Sequence, residues 1–196
     1  PEPPKNDVPV SQSSKPATAP GPRTPAEVRA VVYGLGSDGT VGANKHTIAI
    51  LGDHTPLHVQ GYFVYDSKKA GSLTVSHLRV GPRPIRASYL IQRPTLVACH
   101  HWEFLERFDL LAGLVRGGVL LLNSPFGPAG SWRRLPERMR QTIRSRQLAV
   151  WLIDAAAVAR QAGLGPTINT VMQACFFAVS GVLPRPEVEI NLSAWD

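Results

Sequence analysis

The chain has 196 residues, 43% hydrophobic and 7% aromatic, which suits one compact domain of ordinary size plus a tail. Its formal charge of +7 asks for an acidic partner, yet no aromatic-interleaved basic ribbon or nucleic-acid motif accompanies it, so nucleic acid is not the expected partner. No apolar stretch is long enough to span a bilayer and no signal peptide is recognisable, which argues against a membrane protein and fits a cytoplasmic one.

Residues 1–25 hold eight of the 18 prolines, with Ser, Lys and Ala between them. Such a segment cannot bury enough surface to offset its ordering entropy, and it predicts a disordered Pro-rich linker, partly polyproline II. The opening Pro-Glu-Pro-Pro, without an initiator Met, suggests a piece of something longer with another domain before it.

From Ala26 the pattern changes. Val28 to Tyr33 predicts a buried strand, and Gly39 through Leu51 a glycine loop followed by a helix that Gly52 ends. His58 to Tyr65, Leu73 to Leu78 and Leu96 to Cys99 predict three more strands. Trp102 to Val115 repeats apolar residues at helical spacing and stops at Gly117-Gly118. Val119 to Leu122 reads as a strand, and Asn123-Ser124-Pro125-Phe126-Gly127-Pro128 as a turn. Leu135 to Gln147 predicts a basic amphipathic helix, Ala149 to Ile153 a strand, Ala155 to Ala162 a helix capped by Asp154, and Asn169 to Val182 a last helix that Pro184 ends. Residues 26–185 thus predict an α/β domain, a three-layer sandwich with a mixed, largely parallel sheet flanked by helices. The short spacing between the second and third strands leaves room for a hairpin. Residues 186–196 read as a tail or the start of a next linker.

Gly34, Gly36 and Gly39 fit G-x-G-x-x-G between a strand and a helix, an arrangement that offers bare backbone N–H groups to an anion. A dinucleotide site would also want an acid at the end of the second strand. Asp66 stands there, but about thirty residues past the loop and followed at once by Ser67-Lys68-Lys69. The glycines could equally serve only a tight turn. Lys45 lacks the following Ser or Thr of a Walker loop. Lys68-Lys69 suits a phosphate, or a solvated pair. Further basic clusters run from Arg79 to Arg93 and from Arg133 to Arg146, and a basic surface that docks onto acidic neighbouring domains explains the charge as well as a phosphorylated cofactor does. Cys99 and Cys175 lie in apolar runs as buried, reduced thiols. His77, His100 and His101 match no zinc spacing, and no nucleophile elbow is present. Neither a catalytic residue nor a metal site is predicted.

Several runs together resemble the gamma domain of the 2-oxoacid:ferredoxin oxidoreductases, specifically the single-chain pyruvate:ferredoxin (flavodoxin) type. They are Gly34 to Lys45, Gly61 to Lys69, Leu73 to Arg79, Leu121 to Pro125, Gly163 to Gly165 and Ile168 to Gln173, in the family's order. The resemblance implies one domain of an enzyme that oxidatively decarboxylates pyruvate or a close 2-oxoacid, with coenzyme A accepting the acyl group. Thiamine diphosphate, magnesium (Mg) and 4Fe-4S clusters would belong to partner domains, the thiamine-binding and ferredoxin-like domains of the same enzyme. Ferredoxin or flavodoxin would take the electrons from a homo-oligomeric whole. On that resemblance Gly36, Ser37, Asp38, Gly39, Asn44, Lys68 and Lys69 face the coenzyme A phosphates or the domain junction. Pro166-Thr167 departs from the family, which commonly carries a basic residue there, and the tail lacks the family's helical continuation. Two other classes stay open: a free-standing NAD(P)-binding oxidoreductase and a pure docking module.

Overall fold

The computed structural model describes residues 27–65 and 73–183. The predicted linker, the tail, Asp66, Lys68 and Lys69 lie outside the described residues. Among the described residues six strands and six helices follow one another as β1 Val28–Leu35, α1 Thr40–His54, β2 His58–Tyr65, β3 Leu73–Gly81, β4 Leu96–Cys99, α2 Phe104–Arg107, β5 Val119–Asn123, α3 Gly127–Arg134, α4 Glu137–Arg146, β6 Ala149–Ile153, α5 Ala155–Gln161 and α6 Asn169–Ser180. They form a single sheet in the order β2-β3-β1-β4-β5-β6. β1, β4, β5 and β6 run parallel, while β3 pairs antiparallel with both β1 and β2. The mixed, mostly parallel α/β sheet is therefore as predicted, with β2 and β3 as the hairpin.

Both faces of the central strands are buried, as parallel strands require. Val28, Ala30 and Val32 of β1, with Leu78 and Val80 of β3, pack on Leu51 of α1, Ala155 and Ala159 of α5, and Met172, Phe176 and Phe177 of α6. Val31, Val97, Cys99, Leu120 and Leu122 point the other way, onto Phe104, Leu105, Leu111, Leu114, Met139 and Ile143. The sheet is thus the middle layer of three.

Four helix boundaries differ from the sequence reading. α1 runs through Gly52 to His54 and stops where Thr55 turns extended, its hydroxyl donating to the Leu51 carbonyl at 2.5 Å. The region Trp102 to Val115 holds only the short α2, although its apolar residues are buried as expected. Side chains of α4 bind carbonyls there: Arg146 Nη1 donates to those of Leu111 (2.6 Å), Ala112 (3.2 Å) and Leu114 (2.8 Å), and Arg138 Nη2 to that of Glu106 (3.3 Å). Gly127-Pro128 opens α3 instead of a turn, with proline in the first helical turn where its missing N–H costs nothing. α6 ends at Ser180, before Pro184, because Gly181 takes the left-handed conformation at φ 66°.

Candidate functional site

The glycine loop leaves the C-terminal end of β1, and His100-His101 leaves the same end of its parallel neighbour β4. Gly39, at φ 83°, turns the chain into α1. Gly34 is required by packing, since a Cβ there would run into the Thr40 side chain. The loop is closed by Asp38. Its carboxylate accepts the N–H of Leu35 (2.8 Å) and of Thr40 (2.7 Å), and lies 2.6 Å from His101 Nε2. The side chain is 12% exposed. Burial opposes its ionisation, but the bonds from His101, Leu35 and Thr40 outweigh burial and hold the carboxyl well below the usual carboxylate range.

Below the loop lies a second tier, in which Thr40, His100, Asn169 and Gln173 are buried and Asn123 half-buried. Thr40 Oγ1 lies 2.9 Å from His100 Nδ1 and 3.4 Å from Asn169 Oδ1. The Asn169 amide donates to the Asp38 carbonyl. Gln173 Nε2 donates to the Ala43 carbonyl (3.0 Å) and to Thr47 Oγ1 (2.8 Å), tying α6 to α1. Asn123 at the end of β5 donates to the His100 carbonyl (3.0 Å) and accepts the N–H of Ala155 (3.0 Å). Burial pushes the His100 ring down to about 4, so it stays neutral at pH 7. Cys99, whose thiol donates to the His101 carbonyl at 3.1 Å, is pushed by burial up to about 12 and is unreactive.

The predicted site residues separate into two groups. Gly36, Ser37 and Gly39 are exposed and form the outer lip of the loop. Asp38 faces inward, and Asn44 is buried beneath, its Nδ2 unpartnered beside a cavity of about 10 Å3 that His100, Asn169 and Gln173 also border. Thr40, His100, His101, Asn169 and Gln173 hold the loop and are not among the predicted site residues; Thr40, Asn169 and Gln173 lie within the runs that carry the family resemblance, and His100 and His101 follow directly on a strand. Asn123 and Ser124 are taken up internally, Ser124 Oγ lying 2.6 Å from Ser131 Oγ. Asp154 caps α5 as predicted, accepting the Ala157 N–H at 2.9 Å. The hydroxyls of Thr40, Ser124 and Ser131 and the Cys99 thiol are all buried. The arrangement fixes a loop and presents its rim, where Ser37 carries an exposed hydroxyl with no base hydrogen-bonded to it among the described residues. A dinucleotide fold needs β2 beside β1, whereas here β3 lies between them, which argues against the NAD(P) alternative.

Known proteins resemble this chain along most of its length. A family model described as pyruvate ferredoxin/flavodoxin oxidoreductase matches residues 29–194. A pyruvate-flavodoxin oxidoreductase of Trichormus variabilis is 58% identical over 160 residues, which is 82% of this chain and 13% of that protein. The chain therefore spans a small part of the curated relative it matches. Among solved structures, the gamma subunit of a keto/oxoacid ferredoxin oxidoreductase from Geobacter sulfurreducens shares the fold at TM-score 0.60 and 15% identity, covering 86% of each chain. A 2-oxoglutarate:ferredoxin oxidoreductase from Magnetococcus marinus, with 2-oxoglutarate, coenzyme A and succinyl-CoA bound, aligns at TM-score 0.58 and 14% identity over 80% of this chain and 24% of that one.

Proposed function

The chain belongs to the pyruvate ferredoxin/flavodoxin oxidoreductase family, and from that premise we propose that it is the gamma domain of a cytoplasmic multidomain enzyme. That enzyme oxidatively decarboxylates pyruvate to acetyl-CoA and passes the electrons to ferredoxin or flavodoxin. In this reading the domain is inert alone and works in a homo-oligomeric whole. Thiamine diphosphate and its magnesium sit in partner domains. The 4Fe-4S clusters do too, because the chain's two cysteines cannot supply four thiolates.

Within the enzyme the domain forms one wall of the coenzyme A site. The observation that carries this reading is the pairing of Leu35 with Leu73 at one end of the sheet. The chain leaves β2 at Tyr65 and re-enters β3 at Leu73, the residue paired with Leu35 just ahead of the glycine lip, so Lys68 and Lys69 fall in the sequence between these two points. Exposed backbone at Gly36, Ser37 and Gly39 and two ammonium groups are a fitting donor set for phosphates. Asp38 and Asn44 act from beneath as positioning residues. Charge reversal at Lys68 and Lys69 in the full-length enzyme is expected to raise KM for coenzyme A roughly ten-fold or more, by loss of charge-assisted contacts, and to leave KM for pyruvate in place. Unchanged coenzyme A kinetics would remove both lysines from the site. Tight NADPH binding without coenzyme A binding would replace the reading altogether.

A further inference from the structure

At the opposite end of the sheet a groove of about 710 Å3 opens between the start of β1, the end of β3 and the irregular strap that links β3 to β4. Five arginines line it, Arg29, Arg79, Arg83, Arg86 and Arg93, against one acid, Glu27. Among the described residues none of the five is in an ion pair. Arg79 is 4% exposed, yet its guanidinium meets only neutral groups: it donates to Gln60 Oε1 (3.1 Å) and the Tyr89 carbonyl (2.6 Å) and lies under the Tyr89 ring. The Arg29 Nε is buried without a hydrogen-bond partner.

The groove is built rather than incidental. Gln60 Nε2 donates to the Ala87 carbonyl (2.7 Å), and His77 Nδ1 accepts the Ile91 N–H (3.2 Å), so three side chains of the hairpin clamp the strap. Tyr89 is 68% exposed and Leu90 40% exposed beside the charged rim. Arginine and tyrosine around a few exposed apolar groups is the composition of a protein interface. Pro82 and Pro84 remove backbone N–H groups from the strap, which makes it a poor phosphate cradle. Guanidinium forks spread along a strap suit successive carboxylates.

We propose that this groove docks an acidic polypeptide segment, carboxylates on the arginine rim and an apolar side chain against Tyr89 and Leu90. That the segment comes from a neighbouring domain of the same enzyme rests on the gamma-domain reading; the acidic chemistry does not. A labelled glutamate decapeptide, titrated by fluorescence anisotropy into the 196-residue chain at about 0.15 M salt, where only close charge pairs survive screening, tests it. The expected result is saturable binding that weakens roughly ten-fold or more in Arg83→Glu/Arg86→Glu, less in Arg83→Gln/Arg86→Gln, and little in Arg107→Glu/Arg160→Glu, which changes net charge equally elsewhere. Circular dichroism confirms that each variant is folded. Equal weakening by both Glu pairs, or no peptide binding, overturns the proposal. So does displacement of nothing by peptide but saturation by inorganic pyrophosphate, which would make the groove a phosphate site. None of these outcomes bears on the coenzyme A kinetics of the lysine variant, so the two readings fail separately.

Discussion

The two ends of the sheet treat charge in opposite ways. At the C-terminal end of β1 and β4, Asp38 is matched by His101 and two backbone N–H groups, and beneath it Thr40 pairs with Asn169 and Gln173 with Thr47. At the other end, five arginines share a groove with one glutamate. A polar network paired at most of its groups, Asn44 Nδ2 excepted, rigidifies its loop, because each buried group left unpartnered costs free energy. An open cluster of one sign repels itself and gains only when a partner arrives. The first end is built for shape, the second for association.

This contrast can be broken most easily at Asp38. Asp38→Ala removes the acceptor of two N–H groups and the His101 partner, and is expected to cost about 3 kcal/mol, or roughly 6–12 °C in Tm for a domain of this size. A thermal melt showing under about 0.5 kcal/mol, the range of an ordinary surface change, would mean that the loop does not depend on its own carboxylate.

Acid should come next. The His100 ring is held near 4 when folded. As pH falls below about 6.5 the unfolded chain takes up that proton first, so the contribution of neutral His100 is complete above that pH and is lost on approaching pH 4, on the order of 2–3 kcal/mol. Burial and Arg79 lower His77 as well, with the same sign. Asp38, also lowered, stabilises above the ordinary carboxylate range and loses that contribution at still lower pH. Urea titrations at pH 7 and pH 4.5 measure the drop, and His100→Gln should flatten it. A variant with an unchanged slope would exclude His100 as its source.

Thr40→Val keeps the volume but deprives His100 Nδ1 and Asn169 Oδ1 of their shared hydroxyl, an expected loss of about 1–2 kcal/mol. The smallest effect belongs to the other end. Arg83→Ala/Arg86→Ala should change stability by no more than about 0.5 kcal/mol, since both side chains are exposed and unpaired among the described residues. A loss above 1 kcal/mol would show that the groove braces the fold and would erase the contrast.

The strands were legible because period-2 and continuous apolar runs carry their own boundaries; β2, β4 and β6 stand where the sequence puts them. Helix extent was not. Between Trp102 and Val115 the spacing is helical, but guanidinium groups some thirty residues away, on Arg138 and Arg146, bind the carbonyls, and no local pattern encodes that. The site was legible to the same limit. The glycine loop announced a turn that presents backbone, whereas its supports lie 60 to 131 residues off, at His100, His101, Asn169 and Gln173. The arginine cluster from Arg79 to Arg93 was visible as charge. Its division into one buried anchor and an exposed rim follows from the burial of the end of β3, where Arg79 is covered, and from the clamped strap, which only tertiary structure defines.

Hydrogen exchange of the full-length enzyme with and without coenzyme A tests the division of labour between the ends directly. The account predicts slower exchange over Gly36 to Gly42 when coenzyme A is bound and no change over Arg83 to Arg93. Protection of the strap with none at the glycine loop would contradict it, and would move the coenzyme A wall to the arginine end of the sheet.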